Sequence, residues 1–161
     1  MDAKNSESST DLDARTLRFE RLLNAPREKV WRAWTDPAHV GNWWGPDGFT
    51  TTTREIDVRT GGHWRFVMHG PDGRDYLNLI RFIEVAKPER LVYTHAGEGD
   101  TADISFHTSI EFIEQQGQTR LTMKMVFPDV TALKRVLEEH GAEEGANQHL
   151  GRLALYLETL A

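Results

Sequence analysis

The fold turns on one stretch: Ala25-Pro26-Arg27-Glu28-Lys29-Val30-Trp31-Arg32-Ala33-Trp34-Thr35-Asp36-Pro37, followed four residues later by Asn42-Trp43-Trp44-Gly45-Pro46. It holds four of the chain's five tryptophans. Tryptophan is the largest apolar side chain, and its indole N–H usually finds a partner when buried. Such a density means either a helical pair packed onto a large core or the wall of an apolar cavity. Asn24 can cap a helix with Pro26 in its first turn, and Glu28 is favourable near the positive end. Val30, Trp31 and Trp34 then share a flank. Asp36-Pro37 restarts a second short helix, which Gly45-Pro46 ends.

On the N-terminal side, Thr16-Leu17-Arg18-Phe19-Glu20-Arg21-Leu22-Leu23 alternates as a strand does. Residues 1–15 are polar and expected to form a disordered tail, because they bury too little to offset ordering entropy. On the C-terminal side, breakers at Gly61-Gly62, Gly70-Pro71-Asp72-Gly73, Lys87-Pro88-Glu89, Gly97-Glu98-Gly99-Asp100 and Gln116-Gly117 separate β-branched and aromatic segments. This is the punctuation of antiparallel strands. Trp64, Phe66 and Met68 share one face, with His63, Arg65 and His69 on the other. Ile104, Phe106, Ile110 and Phe112 share a face, as do Leu121, Met123, Met125 and Phe127. After Pro128, Asp129 can cap a helix carrying Leu133, Val136 and Leu137, and Gly141 ends it. In the last helix Ala146, Leu150, Leu153, Leu157 and Leu160 form one apolar stripe. The expected architecture is α+β: a curved antiparallel sheet of about seven strands, two short helices after the first strand, and a long C-terminal helix laid on the sheet. Residues 16–161 are expected to form one domain.

Composition narrows the function. The 161 residues carry a net charge of −6, which argues against nucleic acid as partner. There is no cysteine, so disulfides, thiolate nucleophiles and cysteine-bound zinc are excluded. The N-terminus has no apolar signal segment, and no apolar run approaches the ~20 residues that span a bilayer. A cytoplasmic protein without membrane insertion is expected. A homodimer through an edge strand or helix face is possible.

Ala25-Pro26 with Val30 to Pro37, Trp43-Trp44-Gly45-Pro46, Asp57-Val58-Arg59-Thr60-Gly61-Gly62, Pro71-Asp72-Gly73, Pro88-Glu89-Arg90-Leu91-Val92-Tyr93-Thr94, and Glu144-Gly145 with Leu150, Arg152, Leu153 and Tyr156-Leu157 carry a family resemblance. In that order they resemble the START-like, birch-pollen-allergen (SRPBCC) superfamily, and within it the branch similar to the C-terminal domain of the activator of heat shock protein 90 ATPase. The resemblance spans Phe19 to Leu160. It implies a helix-grip fold enclosing an apolar cavity between sheet and long helix. Members bind lipids, hormones or polyketides, act as cyclases, or serve as co-chaperones. Fold analogy does not choose among these.

Alternation supplies candidate cavity residues. Trp64, Phe66, Met68, Phe106, Met123 and Met125 face inward, as do Tyr76, Asn78, Ile80 and Phe82 if Arg81 faces solvent. Tyr76 and Asn78 either contact a ligand or satisfy each other. The methionines either adapt to ligands or fill gaps. Trp43 and Trp44, beside Gly45-Pro46, are candidates for the cavity mouth. His149 and Leu153, one turn apart on the last helix, are placed at the cavity, His149 as its one histidine; His95 has no assignable face. His63, His69 and His107 fall on the wet face, His39 and His140 near helix ends. No histidine pattern indicates a metal, and no cofactor is expected. Ser105, His107, Ser109 and Glu111 line up on one strand face, where side chains two apart point in parallel and make no relay. Three functions remain: binding of a small hydrophobic molecule, an enzyme using Tyr76, Asn78 and His149, or a chaperone-type interaction module.

Overall fold

A computed structural model describes residues 14–98 and 105–160. The tail up to Asp13, Gly99, Asp100, Ile104 and the side chain of His140 lie outside the described residues. The elements run β1 (Thr16–Leu23), α1 (Arg27–Thr35), α2 (Val40–Trp43), β2 (Thr50–Ile56), β3 (His63–His69), β4 (Asp75–Ala86), β5 (Arg90–Gly97), β6 (Ser105–Gln115), β7 (Gln118–Val126), α3 (Val130–His140) and α4 (Ala142–Thr159). All seven strands form one antiparallel sheet in the order β1-β7-β6-β5-β4-β3-β2. This is the helix-grip arrangement. β1 pairs with β7 at one edge of the sheet and β2 forms the other edge, so the segment carrying α1 and α2 leads from one edge to the other.

Local chemistry sets most element ends. The β3–β4 connection turns at Pro71-Asp72-Gly73: Gly73 N–H donates to the Gly70 carbonyl at 3.0 Å, and Asp72 Oδ1 accepts from Arg74 N–H at 3.0 Å. Asp129 caps α3, its side chain accepting from Ala132 N–H at 2.7 Å. Gly141, at φ 57°, ends α3 and precedes the first residue of α4. That left-handed geometry costs glycine little and lets the two helices turn sharply.

Two expectations need correction. The N-cap of α1 is Pro26 in extended geometry without a side-chain cap, not Asn24. The Pro26 carbonyl accepts from Lys29 and Val30, so the helix begins after the proline and Asn24 lies too far upstream to reach its free N–H groups. Arg15, placed in the tail by composition, accepts from the Phe127 N–H through its carbonyl at 2.9 Å and donates from its guanidinium to the Phe127 carbonyl at 2.8 Å. A backbone pairing of this kind depends on where the partner strand ends, which composition does not report.

The main core joins α1, α2 and the C-terminal half of α4 to the concave sheet face. Trp31 packs edge-on against Phe112 at 5.3 Å, and Trp34 against Trp43 at 4.9 Å. Trp44 meets Trp64 at 4.8 Å, and Trp64 stacks on Phe66 at 4.0 Å. Trp43 Nε1 donates to the Ala33 carbonyl at 2.9 Å and Trp64 Nε1 to Thr53 Oγ1 at 3.0 Å. Leu150, Leu153 and Leu157 of α4 complete this cluster. Phe127 with Leu133 and Val136 of α3 forms a separate, smaller core.

Candidate functional site

Between the two cores lies an apolar cavity of about 250 Å³. Its floor is the sheet: Met68 from β3, Tyr93 and His95 from β5, Phe106 and Thr108 from β6, Met123 and Met125 from β7, then Phe127. Trp44, Gly45 and Pro46 form one lip. Val136 of α3 and Ala142, Gly145, Ala146 and His149 of α4 form the roof. The roof explains the void. Where α4 crosses this end of the sheet its inward positions Ala142, Gly145 and Ala146 are small, and from Leu150, one turn after Ala146, they become leucines.

The lip is held in place by α4. The Gly45 N–H donates to His149 Nδ1 at 3.0 Å. One nitrogen of the Arg152 guanidinium donates to the carbonyls of Trp44, Gly45 and Pro46 at 3.2, 3.0 and 2.8 Å. Gly45 sits at φ 101°, a left-handed backbone that L side chains rarely adopt, so glycine suits this turn beside the cavity wall.

Burial governs the site's electrostatics. It holds His149 down to about 3, with the positive charges of protonated His95 and Arg152 acting in the same direction. Burial alone brings His95 to about 4. Both imidazoles are therefore neutral at pH 7. Burial raises the Tyr93 phenol, and the nearby Thr108 hydroxyl acts against it. Proximity does not make a well-formed bond here: Thr108 Oγ1 is buried and has no hydrogen-bond partner among the described residues. No Lys, Arg, Asp or Glu lines the cavity. Among the described residues no group of three or more His, Asp or Glu stands ready to hold a metal ion.

Of the residues expected at the cavity, Trp44, Met68, Phe106, Met123, Met125 and His149 line it. Trp43, Trp64, Phe66, Tyr76, Asn78, Phe82 and Leu153 do not. Trp43 is no mouth residue; it is 1 % exposed, tied to Ala33 and closed in by Trp34. Trp64, Phe66 and Leu153 are filled over by the tryptophan cluster. Phe82 sits beside Tyr93 where β4 bulges between Phe82 and Glu84, deep in the main core. The Tyr76 ring packs on Phe49 and under Arg74 at the outer end of β4. Asn78 spends its amide on the Tyr76 carbonyl and on His95. The trio Tyr76, Asn78 and His149 therefore does not converge on the void.

Sequence reasoning missed Tyr93, His95 and Thr108. Thr108 was legible, since it lies between Phe106 and Ile110 in the inward parity of β6. Tyr93 and His95 share the parity of buried Leu91 in β5, but a mixed polar strand does not announce its inner face. The other histidines with described side chains are engaged elsewhere. His63 pairs with Glu55 at 2.8 Å, and His69 with Asp75 at 2.7 Å, on the outer face. His39 shares a 2.7 Å hydrogen bond with the Tyr156 hydroxyl. His107 meets Thr94 rather than a serine nucleophile.

Residues 24–158 match the family described as activator of Hsp90 ATPase homolog 1-like protein. No curated protein matches the sequence. Among solved structures, a protein from Arthrobacter aurescens superposes with a TM-score of 0.85 at 24% identity, over 94% of this chain and 90% of that one, a likeness of fold alone. A Mycobacterium smegmatis protein gives 0.80 at 27% identity, over 90% and 91%. A Silicibacter pomeroyi protein bearing the same family name gives 0.74 at 25% identity, over 89% and 98%. No helix among the described residues is long and apolar enough to cross a membrane.

Proposed function

This chain belongs to the activator of Hsp90 ATPase homolog 1-like family, and we propose that it binds a small hydrophobic molecule in the cavity beneath the N-terminal half of α4. One observation carries the reading. The inward surface of α4 shrinks to Ala142, Gly145 and Ala146 where it passes over methionine and aromatic side chains, leaving about 250 Å³ in an otherwise closely packed interior. Ligand sites are apolar concavities with a few placed polar groups, and this cavity, open to solvent on one side, has that character. The methionines suit a ligand whose outline varies.

The test is titration with 1-aminonaphthalene, a neutral two-ring fluorophore, following its emission and the quenching of tryptophan. Saturable binding is expected, and Ala146→Phe, which fills the void from α4, abolishes it while leaving the circular dichroism spectrum unchanged. Binding that persists undiminished in this folded variant would place the ligand elsewhere and end the proposal. A protein-interaction role draws less support. The exposed large hydrophobic side chains do not form one continuous patch: Leu22 and Ile113 on the outer sheet face are separated by Arg120, which stands opposite both, Leu77 and Ile83 lie on β4, and Leu155 lies on α4.

A further inference from the structure

The cavity's polar groups define what kind of molecule it accepts. Asn78 Nδ2 donates to the Tyr76 carbonyl at 3.0 Å, which fixes the orientation of the amide. Its Oδ1 must then accept from His95 Nε2–H, at 2.8 Å. A neutral His95 therefore carries its proton on Nε2 and leaves Nδ1 as a bare acceptor. His149 is assigned the other way round. Its Nδ1 accepts from Gly45 N–H, so its proton is on Nε2, a donor. Neither His95 Nδ1 nor His149 Nε2 has a hydrogen-bond partner among the described residues. Both rings contact the Trp44 indole, at 6.3 Å and 4.6 Å, so acceptor and donor flank one wall of one void. Thr108, 2 % exposed and unpaired, adds a hydroxyl that turns to either polarity.

Charge is excluded by the same surroundings. The cavity lining has no charged side chain, and the Arg152 guanidinium nitrogen nearest the lip is engaged by three backbone carbonyls. Exposed Glu143 and Glu144, in the first turn of α4, stand outside beside the roof. A carboxylate entering here loses water and meets no cation. As for size, a cavity of ~150 Å³ holds benzene, so about 250 Å³ suits one or two rings.

We propose that the site takes a neutral one- or two-ring molecule bearing a hydroxyl, which accepts from His149 Nε2–H and donates to His95 Nδ1, and that it rejects carboxylates. This inference rests on the binding function proposed above and specifies its ligand class.

Isothermal titration of the full chain at pH 7.5 with 2-naphthol, naphthalene and 2-naphthoate tests it. Expected is 2-naphthol binding about tenfold tighter than naphthalene, the value of one well-made hydrogen-bond set, with 2-naphthoate at least tenfold weaker than 2-naphthol. In His95→Phe, 2-naphthol falls to the affinity of naphthalene while naphthalene keeps its own. Naphthalene equal to 2-naphthol in the native protein, or 2-naphthoate as tight as 2-naphthol, overturns the ligand class and leaves the binding function standing. No binding by any of the three overturns both. If His95→Phe loses its native near-ultraviolet dichroism, His95→Leu serves instead: a loss for 2-naphthol alone supports the inference, and an equal loss for both compounds, or no loss for either, overturns it.

Discussion

The two halves of the concave sheet face are made of similar strands, yet one is packed solid and the other holds a cavity. Over the first, α4 presents Leu150, Leu153 and Leu157, and α1 and α2 add Trp31, Trp34 and Trp43. Over the second, the same helix presents Ala142, Gly145, Ala146 and His149, and the rest of the cover comes from the Trp44-Gly45-Pro46 lip and from α3 with its separate cluster around Phe127, Leu133 and Val136. A single helix of 18 residues, about 27 Å long at ~1.5 Å per residue, thus serves as filler at one end and roof at the other. The difference lies in side-chain volume along one stripe. Both stretches are buried, so hydrophobicity alone does not distinguish them.

Truncation gives the largest expected contrast. Leu153→Ala, at a site with no exposure and neighbours on all sides, should cost about 3–5 kcal/mol in urea unfolding. Met125→Ala, which enlarges a void already present, should cost about 1 kcal/mol. Equal losses would mean that the cavity end is as tightly supported as the tryptophan end, and the comparison would break.

Acid should act through the cavity end. His149 and His95 have pKa values lowered from 6.5 to about 3 and about 4, so below pH 6.5 the unfolded chain takes up protons that the folded chain refuses. Their contribution is complete above about pH 6.5 and is lost progressively as pH falls toward 4 and then 3. Between pH 7 and 5 the pair should remove on the order of 3 kcal/mol of stability. His149→Gln, which keeps an acceptor for Gly45 N–H, should remove about half of that slope. A variant with the full slope would show that the titrating groups lie elsewhere.

The smallest effect concerns one buried hydroxyl. Thr108→Val keeps the shape and removes an unpaired polar atom, so it should raise stability by up to about 1 kcal/mol in thermal unfolding. A comparable loss would mean that Thr108 has a partner in solution.

The order of elements, the inward parity of β3, β6 and β7, the cap at Asp129 and the leucine stripe of α4 were all legible, because each is a local pattern of period 2 or 3.6 or a turn with its own chemistry. The cavity was only half legible. Parity put Trp64, Phe66 and Met68 on one face with equal claim, and nothing local says that Trp64 and Phe66 lie under leucines and tryptophans while Met68 lies under alanine and glycine. Trp43 and Trp44 are adjacent in sequence, yet one is locked to Ala33 and the other walls the void. His95 was unassignable, because its role depends on Asn78 across the β4–β5 ladder.

The sequence by itself determined the family, the helix-grip architecture and which faces are apolar. The tertiary structure decided which part of the apolar face is covered by large side chains and which by small ones. Periodicity fixes where a residue points. What it meets there depends on the helix laid across it, and that is a property of two segments far apart in the chain.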